Sequence, residues 1–322
     1  MILNAIKNFP KQFEFEPEIQ NPERLTRAQK LIVAGMGGSH LGADVIRIFK
    51  PELNLTIHSN YGLPSDCEKS ALMIASSYSG NTEETIDALK TALNRKIPAA
   101  AVSIGGELLK IAEKNSLPYV KLPDTGIQPR SAIGFSTAAI LKLMGEGKAL
   151  NDLKNLSKTL DVEAARKEGK KLAKTLKGYV PIIYTSAINQ PIAYNWKVRF
   201  NETGKIPAFI NAFPEVNHNE MMGFDVTHAT RPLSKNFHFI ILKDAADHPR
   251  IKLRMRILEE TYTRLKLPIT TLELKGKNVW EKIFNSLMIA DWAAYFSGEE
   301  YGTDVEGEES VEGFKKRLKE LG

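Results

Sequence analysis

The sequence predicts an α/β protein made of two doubly wound parallel-sheet domains followed by a C-terminal helix. Three observations predict it. Short apolar runs suited to buried strands alternate with helix-patterned segments, the pattern of a parallel sheet covered by helices. The alternation occurs twice, before and after a composition shift at Gly145-Glu146-Gly147-Lys148, which places the domains at 1–148 and 149–322. Finally, 322 residues with a hydrophobic share of 43% are enough for two separate cores.

The first half opens with an amphipathic lead-in and a buried strand, Leu31-Ile32-Val33-Ala34, that runs into Gly35-Met36-Gly37-Gly38-Ser39 and a helix over 40–49. A strand near 53–58 follows. The next unit is Leu72-Met73-Ile74-Ala75-Ser76-Ser77-Tyr78-Ser79-Gly80-Asn81-Thr82, an apolar run ending in a hydroxyl-rich turn, with a helix from Glu83 through Leu93. Strand 98–104, helix 107–115 and strand 119–122 continue the alternation. A loop carrying Gln128-Pro129-Arg130-Ser131 then precedes a helix over 132–144.

The second half begins with a basic stretch, Lys154 to Lys177, in which lysines and Arg166 interleave with Asp161, Glu163 and Glu168, as on a solvated helix. Strands are expected at 179–184, 207–213, 237–242 and 269–274. Helices are expected at 190–202, 250–265 and 279–296, with a terminal helix at 310–321.

Composition narrows the function. The net charge of +6, from 44 basic and 38 acidic residues, suits an anionic metabolite and falls short of a nucleic-acid footprint. Cys67 is the single cysteine, which excludes an intrachain disulfide and a thiolate cluster. No apolar run approaches the ~20 residues needed to cross a bilayer, and the N-terminus has no long apolar core, so a cytoplasmic protein without membrane contact is expected. The six histidines are scattered and none forms H-E-x-x-H, so no metal is expected.

Two turns invite a ligand. G-x-G-x-x-G starting at Gly35 fails at His40, and the second strand ends in His58-Ser59-Asn60 rather than an acidic residue, which argues against a dinucleotide. What remains is a glycine turn that allows close backbone approach, with Ser39 at a helix start. In the second turn Ser77, Ser79 and Thr82 offer hydroxyls beside the unpaired amides of a helix N-terminus, a neutral cradle for phosphate. The same residues also fit a Thr82 helix cap with two ordinary turn serines. Arg130 fits either a surface position or a cation aimed into the crevice. Glu202 closes a helix, where the dipole disfavours its charge and raises its pKa toward the range of a general base; a solvated glutamate fits equally. His218 sits in a polar loop, as a surface or a functional histidine.

Taken together, Gly35-Met36-Gly37-Gly38-Ser39, Ser77 through Thr85, Gln128-Pro129-Arg130, Asn201-Glu202 and Asn217-His218-Asn219-Glu220 resemble the bifunctional phosphoglucose/phosphomannose isomerases, which are built from two sugar isomerase (SIS) domains. The resemblance covers nearly the whole chain. It implies a phosphorylated hexose as substrate, no cofactor, and a phosphate held by Ser39, Ser77, Ser79 and Thr82, with Gly37 and Gly38 permitting close approach. It further implies Glu202 as the base moving a proton between C1 and C2, Arg130 facing a cis-enediolate, and His218 in ring opening, assisted by a lysine of the last helix. Aligning Val311, Phe314 and Leu318 places that lysine at Lys315, beside Lys316. A homodimer with His218 donated across the interface is implied as well. An aminosugar phosphate isomerase and a non-catalytic phosphosugar sensor are the alternatives. The sensor reading lacks a helix-turn-helix segment before the first strand and has no use for Glu202 and His218.

Overall fold

The computed structural model describes residues Met1 to Leu321. They form two compact units. The N-terminal unit comprises 4–162 together with 275–286, and the C-terminal unit comprises 1–3, 163–274 and the chain from Leu287 onward.

After α1 (Ile2–Lys7) and a 3-10 turn at Phe9–Glu14, the N-terminal unit builds β1 (Lys30–Ala34), α2 (Leu41–Phe49), β2 (Asn54–His58) and β3 (Leu72–Ser76). It continues with α3 (Glu83–Asn94), β4 (Ala99–Ser103), α4 (Gly106–Lys114), β5 (Tyr119–Lys121), α5 (Ile133–Met144), α6 (Gly147–Lys154) and α7 (Leu156–Thr159). The sheet order is β2-β1-β3-β4-β5, every pair parallel, with Val33 level with Ile57 on one side and Ile74 on the other. β3 and β4 are buried along their whole length, as a sheet covered on both faces requires. In the segment 275–286, Trp280 stacks on Phe49 with ring centroids 4.2 Å apart, and Phe284 lies 4.8 Å from Phe13.

The C-terminal unit holds α8 (Val162–Leu176), β6 (Val180–Ser186), α9 (Gln190–Glu202), β7 (Phe209–Phe213), α10 (Glu220–Gly223) and α11 (Arg231–Ser234). β8 (Phe237–Lys243), α12 (Pro249–Arg264), β9 (Ile269–Glu273), the later turns of α13 (Val279–Tyr301) and α14 (Glu309–Leu321) complete it. Its sheet is also wholly parallel, in the order β7-β6-β8-β9. Tyr184, Phe213, Phe239 and Tyr262 form an aromatic core on one face, with Phe239 4.6 Å from Tyr262. Both sheets are therefore doubly wound with the order reversal beside their first strand, between β1 and β3 and between β6 and β8. Loops at the carboxyl ends of those strands flank the ligand crevice of this architecture.

Two local expectations are modified. The stretch Lys154 to Lys177 is not one helix: it breaks after Lys154 and again at Leu160, whose backbone is extended. Leu153, Leu156 and Leu160 are all buried, and the breaks let each reach the core instead of drifting round a single helix axis. The same burial keeps the chain in the N-terminal unit through Val162, beyond the composition shift at 145–148, where Gly145 is the left-handed cap of α5.

His238, on β8, is buried with Nε2 2.8 Å from Thr270 Oγ1, and burial lowers its pKa from the ordinary 6.5 to about 4. The unfolded chain therefore takes up this proton first as pH falls. The associated stability is fully present above the ordinary value and is lost on descending toward the folded one, by about 2 kcal/mol between pH 7 and pH 5. Urea denaturation at those two pH values should show wild-type stability falling more than that of His238→Gln.

Candidate active site

At the switch point of the N-terminal sheet, β1 ends in Gly35 and a 3-10 turn at Gly37–Ser39, and β3 ends in the turn Ser77–Thr82. Hydrogen bonds join the two turns. Ser76 Oγ donates to Ser39 O at 2.7 Å, and the Tyr78 amide donates to Ser39 Oγ at 2.9 Å. Within the second turn Ser77 Oγ and Thr82 Oγ1 are 2.8 Å apart, and the Gly80 amide donates to Ser77 Oγ at 3.1 Å. Ser79 is exposed, with its Oγ accepting from the Asn81 amide at 3.3 Å. Thr82 occupies the position before α3 but makes no capping bond with its side chain. Its hydroxyl is turned toward Ser77 instead, so the helix-cap reading of this threonine does not hold.

A third turn, Pro129–Ser131, packs directly on Gly37–Ser39, and a Cβ at Gly38 would stand 2.6 Å from the Arg130 amide nitrogen. Gly38 thus makes room for backbone, while Gly37 supplies a left-handed turn, φ +50°, with open space around it. Arg130 is buried, 1% exposed, which rules out the surface reading. The structure brings Gly37, Gly38, Ser39, Ser77, Ser79, Thr82 and Arg130 into three adjoining turns of one unit.

The remaining predicted residues belong to the C-terminal unit. Glu202 is the last residue of α9 and half-buried. The end of that helix is fixed: the Thr203 and Gly204 amides both donate to Arg199 O, at 2.9 and 3.1 Å, and Asn201 Oδ1 accepts from the Ala208 amide at 3.0 Å. One turn earlier, fully buried Arg199 directs Nε to Asp291 Oδ1 at 2.7 Å and Nη1 to Asn195 Oδ1 at 2.9 Å. His218 is exposed and follows a 3-10 turn, Glu215–Asn217, with its amide donating to Glu215 O at 2.9 Å. Lys315 is exposed on α14, with Nζ 2.6 Å from Glu312 Oε1.

The switch point of the C-terminal sheet is chemically different. Asn189 Nδ2 donates to Ser186 Oγ at 3.0 Å and to Asp247 Oδ1 at 3.4 Å, and the Asp244 amide donates to Asp247 Oδ2. Burial pushes the Asp247 carboxyl up, opposed by its bond to Ser186. Polar groups there are spent on one another. Among the described residues, no group of three or more His, Cys, Asp or Glu side chains is placed to hold a metal ion. No described helix is long and apolar enough to cross a membrane.

A bifunctional phosphoglucose/phosphomannose isomerase from Aquifex aeolicus is 30% identical to this chain, over 99% of this chain and 98% of its own length. The chain belongs to the bifunctional phosphoglucose/phosphomannose isomerase family. The bifunctional isomerase of Caldicellulosiruptor bescii is 28% identical over 99% of this chain and 98% of its own. The family model described as the bacterial phospho-glucose isomerase C-terminal SIS domain matches residues 165–318. Among solved structures, the tagatose-6-phosphate ketose/aldose isomerase of Escherichia coli superposes with a TM-score of 0.66 at 15% identity, over 95% of each chain, and so shows the shared fold.

For a bifunctional isomerase, the geometry adds residues that the sequence reading did not single out. Ser76 and Ser103 brace the cradle from within: Ser103 Oγ lies 3.1 Å from Tyr78 O and 2.9 Å from Gly105 O. Their signal is a serine at the carboxyl end of each of two otherwise apolar strands. Gly80, with φ +72°, lies so close to the next turn that a Cβ would stand 1.9 Å from Gly105 O. Gly80→Ala should therefore raise the KM for the phosphosugar at least about tenfold by displacing the Ser77–Thr82 turn, an outcome read from steady-state kinetics.

Proposed function

We propose that this chain interconverts glucose 6-phosphate and mannose 6-phosphate with fructose 6-phosphate through a cis-enediolate, without a cofactor. The observation that carries this reading is family membership over the full length, joined to a hydroxyl-lined turn at the sheet's switch point. Ser39, Ser77, Ser79 and Thr82 receive the phosphate with hydroxyls and backbone amides, near the N-terminal end of α3. Glu202 takes the proton from C2 or C1 and returns it to the other carbon. That proton is weakly acidic until the adjacent oxygen is stabilised as it gains charge, which is the task of Arg130. His218 exchanges the proton between ring oxygen and anomeric hydroxyl, with Lys315 assisting. The two aldoses differ at C2 and share one planar enediolate, so a single base serves both.

The protein acts as a cytoplasmic homodimer in which one copy lends His218 to the other. An apolar stripe on α14 supports a second copy: Val311, Phe314 and Leu318 follow at helical spacing and are 50%, 67% and 42% exposed. The purified protein, supplied with fructose 6-phosphate in the presence of EDTA, should form glucose 6-phosphate and mannose 6-phosphate, each followed by its own coupled assay. Formation of neither overturns the reading, and release of ammonia from an aminosugar phosphate would replace it.

A further inference from the structure

The segment Asn217-His218-Asn219-Glu220 contributes one residue to the proposed chemistry, yet its last residue is the better anchored. Glu220 opens α10, and its half-buried carboxylate accepts two bonds from adjacent strands of the sheet. Tyr184 on β6 donates from Oη to Oε1 at 2.5 Å, and Asn211 on β7 donates from Nδ2 to Oε2. Both donors are themselves fixed. Tyr184 is fully buried between Phe213 and Phe239, with ring centroids 6.2 and 5.6 Å away, and Asn211 Oδ1 accepts from the Ala212 amide at 2.7 Å. Burial and the Glu220 carboxylate both hold the Tyr184 phenol protonated, so it remains a donor at any physiological pH.

Among the described residues His218 has no such anchor for its own side chain, being exposed two residues before Glu220. On its other side Val216 is fully buried in the aromatic core. The histidine therefore stands on a short arch with one apolar and one hydrogen-bonded foot. We infer that Glu220 is a positioning residue, which holds the His218 arch on the sheet through Tyr184 and Asn211 and thereby sets the rate of ring opening. The inference rests on the proposed role of His218. It assigns Glu220 no contact with substrate.

Reciprocal exchange provides the test, because Asn211→Asp with Glu220→Gln preserves the total charge and every bond. The glutamine side chain introduced at position 220 would still accept from Tyr184, and its amide would donate to the new carboxylate, which also accepts from the Ala212 amide. Glu220→Gln alone faces two amide donors with one another and should lower kcat about 10- to 100-fold, with KM for fructose 6-phosphate within about twofold. The paired exchange should restore most of the loss. In a His218→Ala background, Glu220→Gln should cost less than about twofold, since a residue acting through His218 has nothing left to position. Thermal melting of each variant reports folding independently of rate. An equal cost of Glu220→Gln in the presence and absence of His218 overturns the inference while leaving the role of His218 standing. Wild-type activity in His218→Ala overturns that role, and the inference with it.

Discussion

Glu202→Gln should isomerise fructose 6-phosphate about 10³- to 10⁴-fold more slowly than the wild type while binding it with similar affinity. The amide matches the carboxylate in shape and cannot accept the carbon-bound proton, so the loss should appear in kcat and in the exchange of the C1 or C2 proton with deuterated solvent. The site is suited to so clean a test because the end of α9 is held by backbone bonds that the substitution leaves alone: Thr203 and Gly204 to Arg199 O, and Ala208 to Asn201. Exchange at the wild-type rate in Glu202→Gln would remove this residue from the proton path.

The second large effect concerns stability. Arg199 and Asp291 form an ion pair at 2.7 Å in which the arginine side chain is wholly buried. Arg199→Met removes the buried cation paired with Asp291 and should cost about 3–5 kcal/mol of unfolding free energy. Replacing both, as Arg199→Met with Asp291→Leu, should recover most of that loss, because apolar groups have no desolvation penalty to offset. Urea denaturation of the two variants decides it, and equal stability of the single and double replacements would show that the pair's charge is not the source of the cost.

Much of the fold was legible because a parallel sheet covered on both faces demands uninterrupted apolar runs. Leu31 to Ala34 and Leu72 to Ser76 stand out from the polar turns after them for that reason. The breaks around α7 were not legible. Charge patterning along Lys154–Lys177 describes the solvent face, whereas the breaks answer to Leu156 and Leu160 on the inner one. The turn could be read as a string of hydroxyls, but whether Thr82 caps its helix depended on its 2.8 Å approach to Ser77, which no spacing encodes. The Arg199–Asp291 pair joins residues 92 apart in sequence, and nothing local in either segment announces the other.

The N-terminal unit is also not spelled by one continuous stretch of sequence. Its last piece, 275–286, follows β9, so a ribosome finishes every strand of the C-terminal sheet before it supplies Trp280 and Phe284. Until then the nascent chain carries Phe9, Phe13 and Phe49 without the rings that cover them in the finished protein. Synthesis from the N-terminus thus cannot deliver one completed unit and then the next. The aromatic face waits for nearly the whole message to be read, and over that interval it is apolar surface still without its cover.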